Sequence, residues 1–226
     1  MLPPLESLRL EADALILDID GTLLDSMTIW NQADVVFLSR RGFEVTPDYT
    51  DYVKSVRIED AALYTRERYN LPDSIEDIMA EWNSFVENAY ANEVKLKPGV
   101  MEFLEEARAL GFKMGCATAL TSRNVDAAFI RLGIYDYLDV LLTLDDLPGR
   151  PDKSEPDIYL EVADRLGVIP SRTIVFEDVP VAINGALKGG FLTCAVYDEV
   201  GAGSLSSWDE MTSVSRFALK AWIERQ

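Results

Sequence analysis

Residues 14 to 25 of the chain are Ala-Leu-Ile-Leu-Asp-Ile-Asp-Gly-Thr-Leu-Leu-Asp. The apolar run 14–17 ends at Asp18 and predicts a short strand that is buried on both faces of a parallel sheet. One apolar residue separates Asp18 from Asp20, and Gly21 follows, so a tight turn crowds two negative charges together. Such crowding is unfavourable unless a cation lies there or a proton is shared.

This turn has two other interpretations, an ordinary acidic turn and a calcium-binding loop. A calcium loop that starts at Asp18 needs glycine at its sixth position and glutamate at its twelfth, where this chain has Leu23 and Ile29. The calcium loop is therefore excluded, whereas the acidic turn remains open. Because the chain contains no histidine, a cation held at this turn has oxygen ligands, which suit Mg²⁺.

The composition is that of a globular protein. The 226 residues are 48% hydrophobic, enough for one large domain or for a domain with an insert. The 39 acidic and 21 basic residues give a net charge of −18, which disfavours nucleic acid and anionic membrane surfaces as partners. A phosphate site in such a chain must be locally positive, through a metal ion and a few Lys or Arg side chains.

The cysteines and the N-terminal residues bear on the cellular compartment. Cys116 and Cys194 lie in apolar runs without a Cys-x-x-Cys spacing, which predicts core thiols in a reducing environment. Residues 1–6 contain no basic segment, and the chain has no run of about 18 apolar residues. We therefore expect a soluble, cytoplasmic protein, and for its assembly a monomer or a weak homodimer.

Helical and strand-like patterns divide the chain into two parts. Apolar residues at helical spacing predict helices near residues 25–41, 47–56, 59–69 and 74–90. Beyond these, predicted helices at residues 98–110, 121–132, 155–166 and 180–188 alternate with predicted strands at residues 112–118, 140–143, 173–176 and 191–196. Residues 208–225 fit either one amphipathic helix or a short strand near 217–219 followed by a terminal turn.

This alternation predicts an α/β fold, a Rossmann-like parallel sheet between two layers of helices. The first strand is separated from the remaining units by a purely helical stretch, which predicts an inserted all-helical cap domain. We assign residues 1–24 and 95–226 to the α/β core and residues 25–94 to the cap, with hinges near residues 23–26 and 93–97.

In an open parallel sheet, ligands bind beyond the carboxyl ends of the strands. Besides the first turn, three predicted strands end in polar residues: Thr118, Lys153 in the next loop, and the pair Glu177 and Asp178. Each has a simpler interpretation when taken alone. Thr118 would begin a helix, Lys153 would be a solvated loop lysine, and the acidic pair would cap the helix that Pro180 opens.

Taken together, these residues resemble the motifs of the haloacid dehalogenase superfamily. The resemblance extends from Ala14 to about Tyr197. It includes Asp-x-Asp-Gly-Thr at residues 18–22, Lys-x-x-Pro-Asp-x-Tyr at residues 153–159 and Phe-Glu-Asp at residues 176–178. These spacings, with the position of the helical cap, are similar to the β-phosphoglucomutase-like phosphatase branch of that superfamily.

The resemblance implies a role for each site residue. Asp18 attacks phosphorus, and Asp20 protonates the leaving oxygen and then activates water. The phosphate is bound by Thr118, by Lys153 and by the backbone N–H group of Ala119. The implied magnesium ligands are Asp18, Asp20, Glu177 and Asp178.

The sequence also departs from the family pattern. Relatives usually have a small polar residue after the acidic pair and a glycine three residues further on, where this chain has Val179 and Ala182. In the cap, Lys54 and Arg57 lie in a segment that resembles the substrate-specificity loop of the branch, although a solvated turn is an alternative. Trp30 stands where the sugar-phosphate mutases place a histidine, and it either lines a substrate pocket or packs between cap helices.

The expected function is that of a magnesium-dependent phosphatase, a phosphoric monoester hydrolase. Its substrate would be a small phosphorylated metabolite, such as a sugar phosphate, and its intermediate an aspartyl phosphate. One alternative is a phosphosugar mutase, which Trp30 disfavours. Another is a non-catalytic metal-binding or phosphate-binding module, which would not need both Asp18 and Asp20. Haloacid dehalogenation is disfavoured because dehalogenases of the family lack an aspartate at the position of Asp20.

Overall fold

The computed structural model describes residues 1–53, 56, 58–149, 151–200 and 205–224. The chain divides into two compact units, one formed by Met1–Ser26 with Val94–Gln226 and the other by Met27–Glu93. The first unit contains the strands and flanking helices, and the second is built from helices. The function of the second unit as a cap stays a prediction.

The regular elements follow one another as the alternating pattern predicts. The strands are β1 (Ala14–Leu17), β2 (Leu24–Asp25), β3 (Lys95–Leu96), β4 (Lys113–Thr118), β5 (Val140–Thr143), β6 (Thr173–Glu177), β7 (Leu192–Val196) and β8 (Phe217–Leu219). The helices are α1 (Leu5–Glu11), α2 (Ile29–Ser39), α3 (Pro47–Val53), α4 (Ile58–Arg68), α5 (Ile75–Asn92), α6 (Val100–Ala109), α7 (Ser122–Leu132), α8 (Asp157–Leu166), α9 (Pro180–Lys188) and α10 (Leu205–Val214).

The sheet of the first unit has the strand order β5-β4-β1-β6-β7-β8, and all of its neighbouring strands are parallel. All four residues of β1 are buried, as expected for an apolar strand inside a parallel sheet. Leu17 of β1 is level with Cys116 of β4 and with Phe176 of β6. The residues that follow these three strands therefore meet at one edge of the sheet.

Successive side chains of a strand point to opposite faces of the sheet. In this sheet, helices cover both faces. Val175 of β6 packs into a core with residues of α8 and α9, including Val162 and Ala186. Its neighbour Phe176 faces the other way, where its ring lies 5.6 Å from that of Phe103 on α6. The predicted three-layer Rossmann-like fold is confirmed.

Short elements formed by distant or weakly patterned residues were not predicted. The helix α1 precedes the first strand, and the chain between residues 24 and 29 begins with β2 rather than with a helix. Strand β2 pairs antiparallel with β3, on which Leu96 is the partner of Leu24. At the C-terminus the alternative of a short strand followed by a turn is confirmed by β8 and the helical turn Trp222–Glu224, but α10 precedes them where a loop was expected.

The helical unit has its own interior. Helix α2 packs against α5, and α4 packs against both α3 and α5. In this interior the Tyr49 hydroxyl donates a hydrogen bond to Asp34 at 3.0 Å and shares another with Thr65 at 2.9 Å. The rings of Phe37 and Trp82 meet edge to face with centroids 5.7 Å apart.

Two further expectations concern the cysteines and the membrane. Cys116 and Cys194 are buried free thiols, so the prediction of core thiols is confirmed. Among the residues described, none of the helices combines the length and the apolar character needed to cross a bilayer.

Candidate active site

The ends of β1 and β6, with the loop after β5, bring four of the predicted site residues together. Asp18 follows β1 directly, and its backbone N–H donates to the Phe176 carbonyl oxygen at 3.1 Å. Glu177 ends β6 and Asp178 comes next, at the same edge of the sheet. Lys153 enters from the loop after β5. This placement follows from the parallel register, since adjacent strands end at the same level.

Lys153 is the cation of the cluster. Its ammonium nitrogen lies 2.5 Å from Asp18 Oδ1 and also forms an ion pair with Glu177 Oε1. The side chain of Lys153 is 11% exposed, and that of Glu177 is 1% exposed. Burial disfavours the charged amine, but the neighbouring carboxylates outweigh this effect and raise the pKa of Lys153 well above its ordinary value. The lysine is therefore held as a cation against Asp18.

Three buried carboxylates surround this ammonium group. Asp18, Glu177 and Asp178 each offer an oxygen within 4.8 Å of those of the other two. Burial, reinforced by the charge of Asp18, raises the pKa of Glu177 to about 8. Burial, with the charges of Asp18 and Glu177, also raises the pKa of Asp178 well above its ordinary value. With all three carboxyl groups ionised, the negative charge would exceed what Lys153 neutralises, so without a further cation Glu177 and Asp178 retain protons more readily than ordinary carboxyl groups do.

The same cluster fits a metal ion. Glu177 Oε2 and Asp178 Oδ2 are buried and have no hydrogen-bond partner among the described residues. A buried carboxylate oxygen without a partner is costly, and a hard divalent cation satisfies such oxygens. Asp178 is not the N-cap of α9, because that position is Val179, whose side chain makes no capping hydrogen bond. The donor set, which is entirely oxygen, suits Mg²⁺ or a cation of similar hardness.

Asp20 lies on the turn after β1 and is not part of this group of three carboxylates. It is half-buried, and its Oδ1 accepts a hydrogen bond of 2.5 Å from the hydroxyl of Ser26. The turn also places Asp20 in a bridge with Leu24 at the start of β2. Its carboxyl group is thus oriented separately from that of Asp18, although the two residues are close in sequence.

Thr118 ends β4, the strand beside β1, and is buried. Its hydroxyl oxygen accepts a hydrogen bond from the backbone N–H of Leu120 at 3.1 Å, while Ala119 between them is exposed. The N-cap of α7 is Thr121, so Thr118 does not cap that helix. Thr118 and Ala119 therefore form a polar turn next to β1, where the phosphate is expected.

The structure gives less information about the predicted site residues of the helical unit. Lys54 and Arg57 lie outside the described residues. Trp30 is on α2 with 41% of its surface exposed, so it is not enclosed by the helices of its own unit. A role in substrate recognition stays a prediction for all three.

Two residues that contact the site were not assigned a role from the sequence. Tyr159, at the start of α8, donates a hydrogen bond of 2.7 Å to Glu177 Oε1, the oxygen that also contacts Lys153. Ser26 contacts Asp20 as described above. Tyr159 belongs to the motif at residues 153–159, so its spacing was a usable signal, whereas nothing in the sequence distinguishes Ser26.

An α/β fold with acidic residues at the ends of β1 and β6, and a lysine beside them, is the arrangement expected of the haloacid dehalogenase superfamily. A family model described as haloacid dehalogenase-like hydrolase matches residues 12–190. The chain therefore belongs to the haloacid dehalogenase-like hydrolase family, and the predicted family is confirmed.

Individual relatives agree with this assignment. The chain is 28% identical over 179 residues to the phosphorylated carbohydrates phosphatase of Thermotoga maritima, covering 79% of this chain and 82% of the relative. It is also 28% identical to hexitol phosphatase B of Escherichia coli K12, with 77% of each chain covered. The structure of a candidate β-phosphoglucomutase from Thermotoga maritima superposes with a TM-score of 0.80 at 26% identity, covering 94% of this chain and 96% of that one. The resemblance to the β-phosphoglucomutase-like branch is thus confirmed.

Proposed function

We propose that the protein is a magnesium-dependent phosphatase that hydrolyses a small phosphorylated carbohydrate or a similar phosphomonoester. The observation that carries this proposal is the buried contact of 2.5 Å between Lys153 and Asp18. It lies beside carboxylate oxygens of Glu177 and Asp178 that have no hydrogen-bond partner in the described part of the chain. This arrangement combines a nucleophile, a fixed positive charge and oxygen ligands for a metal ion. The names of the two phosphatase relatives support a sugar phosphate as substrate.

The reaction has two steps, and both use the carboxylate of Asp18. In the first, an Asp18 oxygen forms a bond to phosphorus while the bond from phosphorus to the ester oxygen breaks, and Asp20 gives its proton to that leaving oxygen. In the second, water attacks the phosphorus of the aspartyl phosphate and loses a proton to Asp20. The bond between Asp18 and phosphorus breaks, so inorganic phosphate leaves and both carboxyl groups return to their starting states.

Lys153 and the turn after β4 stabilise the charge that develops on the phosphoryl oxygens. Lys153 stays cationic because two carboxylates face it, so it offers positive charge without gaining a proton. Thr118 and the backbone N–H of Ala119 would bind the phosphoryl group from the neighbouring strand end. These contacts compensate locally for the net charge of −18, which would otherwise repel a phosphate ester.

The metal ion would be held by Asp18, Glu177 and Asp178, with Asp20 as a further predicted ligand. When bound, Mg²⁺ supplies positive charge that polarises the phosphoryl oxygens. Asp18 would then face both a metal ion and Lys153, and these two cations would orient its carboxylate for attack.

We assign substrate selection to the helical unit Met27–Glu93 acting as a cap. Its side chains would exclude bulk water and contact the part of the substrate that is not phosphate. Lys54, Arg57 and Trp30 are the residues we expect to recognise this part. Hydrolysis is favoured over mutase chemistry because Trp30 occupies the position where mutases of the branch have a histidine.

The test is phosphate release from p-nitrophenyl phosphate and from a panel of hexose, pentose and hexitol phosphates, with Mg²⁺ or with a chelator. We expect Mg²⁺-dependent turnover that falls to background in Asp18→Asn. The matched control is Asp13→Asn, the same substitution at the other end of β1, which should retain turnover. Isomerisation of a hexose 1-phosphate without phosphate release would favour the mutase, and no reaction in the presence of bound Mg²⁺ would favour the binding module.

A second experiment tests the metal site without relying on activity. Mg²⁺ at about 100 times its dissociation constant should stabilise the wild type by about 2.7 kcal/mol, measured by thermal or urea unfolding. Asp178→Asn should lose most of this stabilisation, because it removes a buried carboxylate from the group. An equal effect of Mg²⁺ on both proteins would contradict the assignment of Asp178 as a ligand.

A further inference from the structure

The turn that carries Asp20 is anchored by distant parts of the chain. The three carbonyl groups of residues 21–23 each accept a hydrogen bond from outside the turn. Lys97 donates from its ammonium group to the first of them and from its backbone N–H to the third, the latter at 2.9 Å. The indole Nε1–H of Trp222 donates to the second, the carbonyl oxygen of Thr22, at 2.9 Å.

The indole of Trp222 is held firmly. It is 2% exposed, and its ring centroid lies 4.5 Å from that of Phe103 and 5.8 Å from that of Phe176, on which it stacks. Phe176 directly precedes the acidic pair of the site. Gly99 allows the C-terminal backbone to approach, since a Cβ atom at this position would lie 2.8 Å from the backbone N of Ile223. Trp222 therefore links the turn after β1 to the end of β6.

Trp222 lies beyond residues 12–190, the part of the chain that the family model matches. After residue 190, strand β8 extends the sheet beside β7. It leads into the short helical turn Trp222–Glu224, which brings Trp222 to the turn after β1. The contact with Thr22 is thus supplied by the C-terminal segment of this chain.

We propose that Trp222 is a positioning residue for the general acid, Asp20. Its indole N–H fixes the Thr22 carbonyl, two residues after Asp20, and so sets where the Asp20 carboxyl group lies relative to the leaving oxygen. If the donor is lost, a buried carbonyl loses its partner and the turn relaxes. Proton transfer is sensitive to such a shift, because the acid must be within hydrogen-bond distance of the leaving oxygen. This inference rests on the proposed phosphatase function.

The test uses two substrates that differ in how much they need the acid. The p-nitrophenolate ion leaves readily without a proton, whereas phenolate depends much more on protonation. Trp222→Phe keeps an aromatic ring and removes the N–H donor. It should lower kcat/KM for phenyl phosphate by about tenfold more than kcat/KM for p-nitrophenyl phosphate. A purely structural role would lower both values by the same factor, and that result would overturn the inference.

The matched control is Trp82→Phe. Trp82 is also buried, but its indole nitrogen has no hydrogen-bond partner among the described residues. The same loss of ring size at Trp82 should leave the ratio of the two kcat/KM values unchanged. A change in this ratio as large as that in Trp222→Phe would assign the effect to ring size and overturn the inference.

Two further variants keep the test decisive. If Trp222→Phe does not fold, benzothienylalanine at position 222 replaces the indole N–H by sulfur and keeps the ring shape, and the same change in ratio is expected. In an Asp20→Ala background, removal of the Trp222 donor should cause no additional loss with phenyl phosphate. An additional loss there would show that Trp222 acts by another route.

The activity of the wild type toward the two esters distinguishes failure of the inference from failure of the proposed function. If it hydrolyses neither ester with Mg²⁺ present, the phosphatase function is wrong and the inference falls with it. If the wild type is active and removal of the donor leaves the ratio unchanged, only the role of Trp222 is wrong.

Discussion

Gly185 on α9 determines how closely that helix approaches the loop that carries Lys153. A Cβ atom at position 185 would lie 2.1 Å from the Lys153 carbonyl oxygen and 3.1 Å from the backbone carbonyl carbon of Ser154. Ordinary van der Waals contact begins at 3.4 Å, so helix and loop would have to separate by about 1.3 Å. Because the contact is with backbone, rotation of a side chain cannot relieve it.

We therefore expect Gly185→Ala to lower both stability and turnover. Alanine is favoured over glycine within a helix by about 1 kcal/mol, but overpacking costs about 1–3 kcal/mol, so a net loss of about 1 kcal/mol should result. The loop movement also displaces Lys153 from its position 2.5 Å from Asp18. Since a misplacement of about 1 Å can cost about 100-fold in rate, we expect kcat to fall between about 10-fold and 100-fold.

The assay combines steady-state hydrolysis of p-nitrophenyl phosphate with urea unfolding. Gly115→Ala is the control, because a Cβ atom there would lie 2.4 Å from Cγ1 of Val162, a side-chain atom on α8. It should lose stability through overpacking while its kcat per folded molecule stays near that of the wild type. A Gly185→Ala protein that is more stable than the wild type, or equally active, would refute this reasoning.

Two other predictions concern stability. Hydrogen bonds from Arg172 and Arg9 lower the pKa of Asp13 below its ordinary value, so the stabilisation it provides is present above about pH 4 and is lost as pH falls further. In urea unfolding, wild type should exceed Asp13→Asn in stability at pH 7, with a difference that shrinks below about pH 4; a constant difference would contradict this assignment. Tyr49→Phe removes a donor from buried Asp34 and should destabilise the protein by about 1–3 kcal/mol in the same assay, so equal midpoints would argue against that hydrogen bond.

The main elements of the fold could be predicted because their signals are local. The buried strands are short apolar runs, and Gly133 and Gly167 end their helices in the left-handed conformation, which glycine adopts without steric cost. Strands β2 and β3 have two residues each and exist through pairing between segments about 70 residues apart in sequence. No periodicity can be read from two residues, so such a pair was beyond sequence reasoning.

The residues of the candidate site also include some that could be predicted from the sequence and some that could not. Asp18 and Asp178 could be selected because they follow predicted strands, and a parallel sheet aligns the ends of its strands. The contact of Tyr159 with Glu177 and that of Trp222 with Thr22 depend on tertiary packing, the latter across 200 residues of sequence. Contacts that depend on tertiary packing were therefore missed, whereas the grouping of residues that follow adjacent strands could be predicted.

The pairing of β2 with β3 also has a consequence for the origin of new specificities. It holds together the two points where the chain leaves the α/β unit for Met27–Glu93 and returns from it. The entropy cost of closing a loop grows only by about 0.6 kcal/mol for each doubling of its length. Exchange of the whole insert for a shorter or longer one would thus cost the α/β unit little stability. Under the cap function that we propose, a single continuous replacement of sequence would redirect an unchanged hydrolytic centre to a different ester.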